Sequence, residues 1–145
     1  MRIIDLFSGV GGLTFGFYYR KYKDHFVRNR KNQFVFANEY NPLAAKAYSE
    51  NYPDIPMKNC DIKSLKESDI RKWIGSEPVD LIIGGPPCQS FSTVGQRNYD
   101  EKAQLYTEYL RVLKIARPKM FLFENVRGIL SMREIFYKRD AAGNI

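Results

Sequence analysis

The chain is poor in sulfur and nearly devoid of histidine. Its 145 residues hold two cysteines, Cys60 and Cys88, and one histidine, His25. No Cys-x-x-Cys and no pair of histidines occurs, which disfavours a structural zinc site. Two cysteines are too few for a disulfide framework in a cytosolic chain, which leaves one of them free to do chemistry. Long apolar runs are missing too. The longest, such as Leu81-Ile82-Ile83 and Met120-Phe121-Leu122-Phe123, are strand-sized, far below the roughly 18 residues of a membrane span. The N-terminus runs straight into the strand-like Ile3-Ile4 with no signal-peptide pattern, so the expectation is a cytoplasmic protein without membrane or metal. No internal repeat or low-complexity segment is visible. Acid is in short supply, with 16 Asp and Glu against 23 Lys and Arg, a net charge of +7. Such a balance favours anionic partners, nucleic acid first. A hydrophobic fraction of 44% is an ordinary globular balance, and the length allows one core.

Strand and helix patterns alternate along the chain. Strands are expected at Ile3–Phe7, Gln33–Asn38, Ile55–Cys60, Val79–Ile83 and Lys119–Glu124. Helices are expected at Leu13–Tyr22, Pro42–Asn51, Ser64–Ile74 and Lys102–Ala116. Ser64 with Glu67 fits a capping box for the third helix. Lys23–Asn32 reads as a basic surface loop and residues 86–101 as a long polar loop. Such alternation predicts a doubly wound, mostly parallel α/β sheet of the Rossmann-like kind. Ligands then sit beyond the carboxyl ends of the strands. Phe7-Ser8-Gly9, Glu39, Asp61, Gly85-Pro86-Pro87-Cys88 and Glu124-Asn125 would all fall on that rim.

The first strand leads into Asp5-Leu6-Phe7-Ser8-Gly9-Val10-Gly11-Gly12. Thr14 stands where a dinucleotide fingerprint needs its third glycine, so a pyrophosphate cradle is disfavoured. A smaller group, such as the amino-acid part of S-adenosylmethionine, fits better. Glu39 after the second strand suits a ribose diol, Asp61 an adenine amino group, and Phe7 an adenine face. Each of these has a plainer alternative as a structural turn or a helix cap. Their recurrence at successive strand ends favours the ligand reading.

Cys88 lies in a polar loop stiffened by Pro86-Pro87, whose φ angles are fixed. A thiolate held there suits methyl transfer to cytosine C5, which is too poor a nucleophile alone. Sulfur adds to C6, the resulting enamine carries C5 to the methyl donor, and loss of the C5 proton expels the sulfur. Glu124 at the end of the next strand is the candidate to neutralise N3, and Asn125 to tie the cysteine loop to that strand. The alternatives are a buried structural cysteine and a cap. Cys60 reads as buried, and His25 as solvated.

These motifs resemble those of the C5-cytosine-specific DNA methyltransferase family, and in its order. They are Asp5–Gly12, Asn38-Glu39-Tyr40-Asn41, Asp61-Ile62, Gly84–Ser92 around Cys88, and Phe123-Glu124-Asn125-Val126. The resemblance implies the N-terminal catalytic half of an S-adenosylmethionine-dependent methyltransferase, with S-adenosylhomocysteine as product. Phe7, Ser8, Gly9, Val10 and Gly12 would line the cofactor site. Glu39 and Tyr40 would hold its ribose side, Asp61 and Ile62 its adenine, and Gly85, Pro87 and Leu105 the near wall. Cys88, Pro87, Glu124 and Asn125 would form the catalytic group. Gln89, Ser92 and Arg97 would help hold duplex DNA around a flipped cytosine. Residues 1–132 would be the catalytic domain. Residues 133–145 would be a charged tail or the start of an insertion. Lys23–Asn32 resembles an insertion relative to compact members. Target recognition would come from a C-terminal half or second subunit, in a restriction-modification setting. Two other readings are a truncated binding fragment and a tRNA-modifying member of the same family.

Overall fold

The structure, a computed structural model, describes residues 1–87 and 105–125. Five parallel strands form the central sheet. They are β1 (Arg2–Leu6), β4 (Gln33–Glu39), β5 (Met57–Asn59), β6 (Leu81–Gly84) and β7 (Met120–Phe123), in the order β5-β4-β1-β6-β7. A separate antiparallel pair, β2 (Tyr19–Tyr22) and β3 (His25–Arg28), lies outside this sheet. The sheet grows outward from β1 in both directions, which creates a switch point between β1 and β6. Leu6 pairs with Asn38 on one side and Gly84 on the other, and Gly84 pairs with Phe123. The strand ends are therefore level, and the residues that follow them share one rim.

Period-two alternation explains the two layers. Ile4, Leu6, Phe36 and Ile82 face one side, against α3 (Glu67–Ile74) and α4 (Leu105–Ala116). Ile3, Phe34, Leu81 and Ile83 face the other, against Tyr18 of α1 (Gly12–Tyr18) and Tyr48 of α2 (Pro42–Asn51). A register shift between Ile3 and Ile4 skips Val35 on β4. It lets Phe34 and Phe36 enter opposite layers opposite consecutive β1 residues. The alternating doubly wound sheet is the architecture expected.

Three expectations change. The first helix stops at Tyr18 instead of Tyr22, and Tyr19–Arg28 form a hairpin in place of the end of that helix and the start of the Lys23–Asn32 loop. The helix contains Gly16 and a β-branched Thr14, both weak helix formers. Beyond it, Tyr19 and Phe26 each bring a ring to within 5.2 Å of Phe15, a contact a straight helix could not make with Phe26. The third helix begins at Glu67 with no side-chain cap, so Ser64 and Glu67 form no capping box. Ser64 belongs instead to a 3-10 turn, Ile62–Ser64, capped by Asp61. Strand and helix ends otherwise differ from expectation by a few residues, as fraying termini do.

Among the described residues no helix is long and apolar enough to cross a membrane, and no cluster of metal-binding side chains is gathered.

Candidate active site at the carboxyl rim of the sheet

The loop after β1 carries the site's main backbone strain. Phe7 has φ +54°, a left-handed conformation unusual for an aromatic residue. Its ring packs half-buried against the layer that includes Ile62 and Phe36. Gly11, at φ +96°, permits an approach that a side chain would forbid, since a Cβ there would lie 2.1 Å from the Tyr52 ring. Tyr52 seals the contact by donating its hydroxyl to the Gly11 carbonyl at 2.8 Å. Gly9 and Gly12 open onto free space, with no atom within 4 Å of where a Cβ would stand. The buried Ser8 hydroxyl has no hydrogen-bond partner among the described residues.

Glu39, one residue past the level of Leu6, faces this loop. Its Oε2 accepts the Gly9 N–H at 2.8 Å, and its Oε1 accepts the Asn41 N–H at 2.8 Å. Asn41 in turn caps α2, accepting from Leu43 and Ala44. Val10, Tyr40 and Leu43, all more than half exposed, add apolar surface near the same rim.

Two asparagines fix the neighbouring strand end. Buried Asn38 donates Nδ2 to the carbonyls of Lys58 and Cys60, and Asn59 donates to those of Glu39 and Tyr40. Asp61 follows, exposed, with Oδ1 accepting the Lys63 N–H at 2.9 Å. Ile62 is buried in the core. Arg111 of α4 reaches across and donates to the carbonyls of Ile62 and Leu65 at 2.9 Å, which anchors the turn that carries Asp61.

At the other end of the rim, Gly84 must be glycine on steric grounds. A Cβ would lie 2.6 Å from the Leu6 carbonyl oxygen and 2.8 Å from the Tyr109 ring. Tyr109 is fully buried and donates to the carbonyls of Ile82 and Leu122, locking α4 onto β6 and β7. Glu124 leans over Gly85, its Oε2 standing 2.7 Å from the position a Cβ would take. Asn125 donates Nδ2 to the Pro86 carbonyl at 3.3 Å, joining the loop after β6 to the end of β7. Pro87 is exposed, and Leu105 opens α4 half-buried against the core. Cys88, Gln89, Ser92, Arg97, Val126 and residues 133–145 lie outside the described residues.

Asp5 and Asn38 lie within the sequence motifs without an assigned role, and no sequence pattern points to Tyr48. Asp5 is fully buried, accepts from Thr14, and has no partner for its second oxygen among the described residues. Thr14 also meets the Tyr48 hydroxyl at 2.9 Å. Burial pushes the Asp5 carboxyl up to about 7; the Thr14 hydrogen bond opposes this, and the Glu39 charge adds to it. The available signal was an acidic residue inside an otherwise apolar strand that is buried on both faces.

A level carboxyl rim, a strained glycine loop beside a carboxylate, and a switch point between β1 and β6 define a nucleotide-type cofactor fold. Comparison with known proteins sharpens this. Residues 1–139 match the family model for C-5 cytosine-specific DNA methylase, and the chain belongs to that family. It is 42% identical over 135 residues to Type II methyltransferase M.AgeI of Thalassovita gelatinovora, covering 91% of this chain and 29% of that protein. It is 40% identical to M.NgoPII of Neisseria gonorrhoeae, covering 92% of this chain and 35% of that protein. Among solved structures, a prophage-encoded DNA modification methyltransferase from E. coli superposes with a TM-score of 0.73 at 32% identity, covering 94% of this chain and 35% of that one. The chain thus spans about a third of the length of these relatives.

Proposed function

We propose that this chain supplies the cofactor-binding and catalytic half of an enzyme that methylates cytosine C5 in duplex DNA, as the modification arm of a restriction-modification system. The observation that carries the reading is the pairing of β6 with β7. It sets Glu124 over Gly85 and bonds Asn125 to Pro86. Pro87, two residues beyond Gly85, immediately precedes Cys88 in the sequence.

S-adenosylmethionine fits the rim as it stands. The orphaned Ser8 hydroxyl and the open faces of Gly9 and Gly12 suit its polar amino-acid end. Glu39 has lone pairs beyond the two that hold Gly9 and Asn41, and these suit ribose hydroxyls. Phe7 offers a half-buried ring face and Asp61 an acceptor for the adenine, with Ile62 packing beneath the turn that carries Asp61. Val10, Gly12, Tyr40, Gly85, Pro87 and Leu105 bound the remaining wall. Once bound, the cofactor supplies an electrophilic methyl group.

The chain's own residues do the rest. Cys88, as thiolate, forms a bond to C6 of the flipped cytosine and raises electron density at C5. Glu124 holds a proton at N3 as charge builds there. Pro86 and Pro87 limit the backbone freedom of the chain leading to the cysteine, and Asn125 ties Pro86 to the end of β7. Gln89, Ser92 and Arg97 contact the opened duplex. Target choice falls to a C-terminal half or second subunit.

The test uses duplex DNA containing 5-fluorocytosine, S-adenosylmethionine, and the chain with and without the downstream half of its protein. The expected result is a denaturation-resistant protein–DNA adduct that is absent in Cys88→Ser. No adduct in any combination overturns the proposal, and an adduct on tRNA alone replaces DNA with RNA.

A further inference from the structure

Far from the rim, the β2–β3 hairpin concentrates the chain's positive charge. Residues 19–31 carry six cations, Arg20, Lys21, Lys23, Arg28, Arg30 and Lys31, and one acid, Asp24. That is a local net charge of +5 out of the chain's +7. Packing accounts for one of the six. Arg28 pairs with Asp54 at 3.2 Å, donates to the carbonyls of Tyr18, Asn29 and Asn32, and lies over the Tyr18 ring at 3.9 Å. It is the bolt that fixes the hairpin to α1 and the α2–β5 turn. The other five form no ion pair among the described residues.

The ribbon has two unlike faces. Tyr19 sits opposite Arg28 and Lys21 opposite Phe26, and the rings of Tyr19 and Phe26 pack on Phe15. The opposite face presents Arg20, Tyr22 and Val27. With the Arg28–Lys31 turn, these residues line an open cleft of about 860 Å³ that has no acid in its wall. Arg20 and Lys23 flank the half-exposed Tyr22 ring at 5.7 and 5.8 Å. Arg20, Arg30 and Lys31 border the cleft and Lys23 stands beside Tyr22 at the hairpin turn, so the cationic surface runs from the cleft to the tip of the hairpin. Its partner is accordingly an extended polyanion, not a single phosphate ion.

We infer that this hairpin is a second DNA-contacting surface, which grips the phosphate backbone of a duplex segment not held at the catalytic rim. Its base lies beside the amino ends of β1 and β4, where the Met1 ammonium bonds the Lys31 carbonyl and Gln33 bonds the Met1 carbonyl. That is the opposite edge of the sheet from Glu39 and Glu124. The hairpin would hold the protein on DNA without reading sequence, because phosphate contacts carry no base information. The choice of DNA among polyanions rests on the function proposed above.

The test measures binding of the chain to a fluorescent duplex of A·T pairs only, from 50 to 200 mM salt. Two variants remove four charges each. One is Arg20→Gln/Lys23→Gln/Arg30→Gln/Lys31→Gln, and the other is Lys46→Gln/Lys66→Gln/Lys72→Gln/Lys114→Gln on the helices and the turn before α3. The hairpin variant is expected to lose roughly tenfold or more in affinity, with a slope of log K against log salt shallower by about 3. The helix variant is expected to stay within about threefold of the parent. Equal losses in both variants, or none in the hairpin variant, overturn the inference, and so does a hairpin-dependent affinity seen only with duplex RNA. Circular dichroism and S-adenosylhomocysteine binding check that both variants are folded. The Cys88 adduct assay is independent of these measurements, so failure of the catalytic reading and failure of the hairpin reading give different results.

Discussion

The carboxylate of Glu39 holds the Gly9 N–H at 2.8 Å across 30 residues of sequence, so the end of β4 sets the shape of the glycine loop after β1. Its other oxygen is engaged by Asn41. Glu39→Gln retains one acceptor oxygen and substitutes a donor for the other, so one of the two N–H groups faces a second donor. Cofactor affinity is expected to fall about tenfold or more, with a loss of about 1 kcal/mol in stability. Calorimetric titration with S-adenosylhomocysteine and thermal melts would measure both. Unchanged affinity would show that Glu39 shapes the loop without serving the ligand.

Adjacent glycines are expected to respond differently to alanine. At Gly85 the one close approach to the new Cβ among the nearest atoms is the flexible end of Glu124, whose Oε2 lies at 2.7 Å. Gly85→Ala should therefore cost less than about 1 kcal/mol of stability. It should still slow adduct formation about tenfold or more by displacing the carboxylate. At Gly84 the obstruction is the Leu6 backbone and the buried Tyr109 ring. Gly84→Ala should lose about 1–3 kcal/mol through overpacking. Denaturant melts and 5-fluorocytosine trapping separate the two. Equal stability losses would contradict the geometry.

Asp5 makes stability depend on pH in the direction opposite to most carboxylates. Its carboxyl sits at about 7 in the fold against 3.8 when exposed, raised first by burial. The folded state therefore holds a proton that the unfolded state releases. Its contribution is full below about 4, falls as pH rises toward 7, and is flat above that. Asp5→Asn removes this dependence while preserving an acceptor for Thr14. The variant is expected to gain stability relative to the parent as pH is raised from 5 to 8, by up to a few kcal/mol. Melts in that range decide it, and a variant-minus-parent stability difference that stays flat or falls with rising pH refutes it.

Arg28 bonds three carbonyls and the Asp54 carboxylate, a fork geometry available only to a guanidinium. Arg28→Ala is expected to cost about 2 kcal/mol, and Arg28→Lys to recover less than half of that. Hydrogen exchange at Arg20, Lys21 and Phe26 should accelerate in the alanine variant. Unchanged exchange would mean that the aromatic contact with Phe15 alone holds the hairpin.

Much of this protein was decided locally. Ile3-Ile4 and Leu81-Ile82-Ile83 are too apolar for anything but buried strands, and their alternation with helical patterns dictates a parallel sheet. A parallel sheet brings its carboxyl ends to one side, so Glu39, Gly85 and Glu124 could be assigned to one rim from sequence order. The family resemblance rests on the same residues. Chain order does not reveal which strand ends touch. The strand order, with Gly84 level with Phe123, brings Glu124 over Gly85, and a carbonyl 39 residues away gives Asn125 its partner. Tyr19–Arg28 illustrates the same limit. Tyr18 and Tyr22 have helical spacing, and contacts made only in the folded chain, the Phe15 ring on Tyr19 and Phe26 and Arg28 on Asp54, decide in favour of a hairpin. Asp5 is the sharpest case. The sequence records an acid, and burial between two layers raises its affinity for a proton.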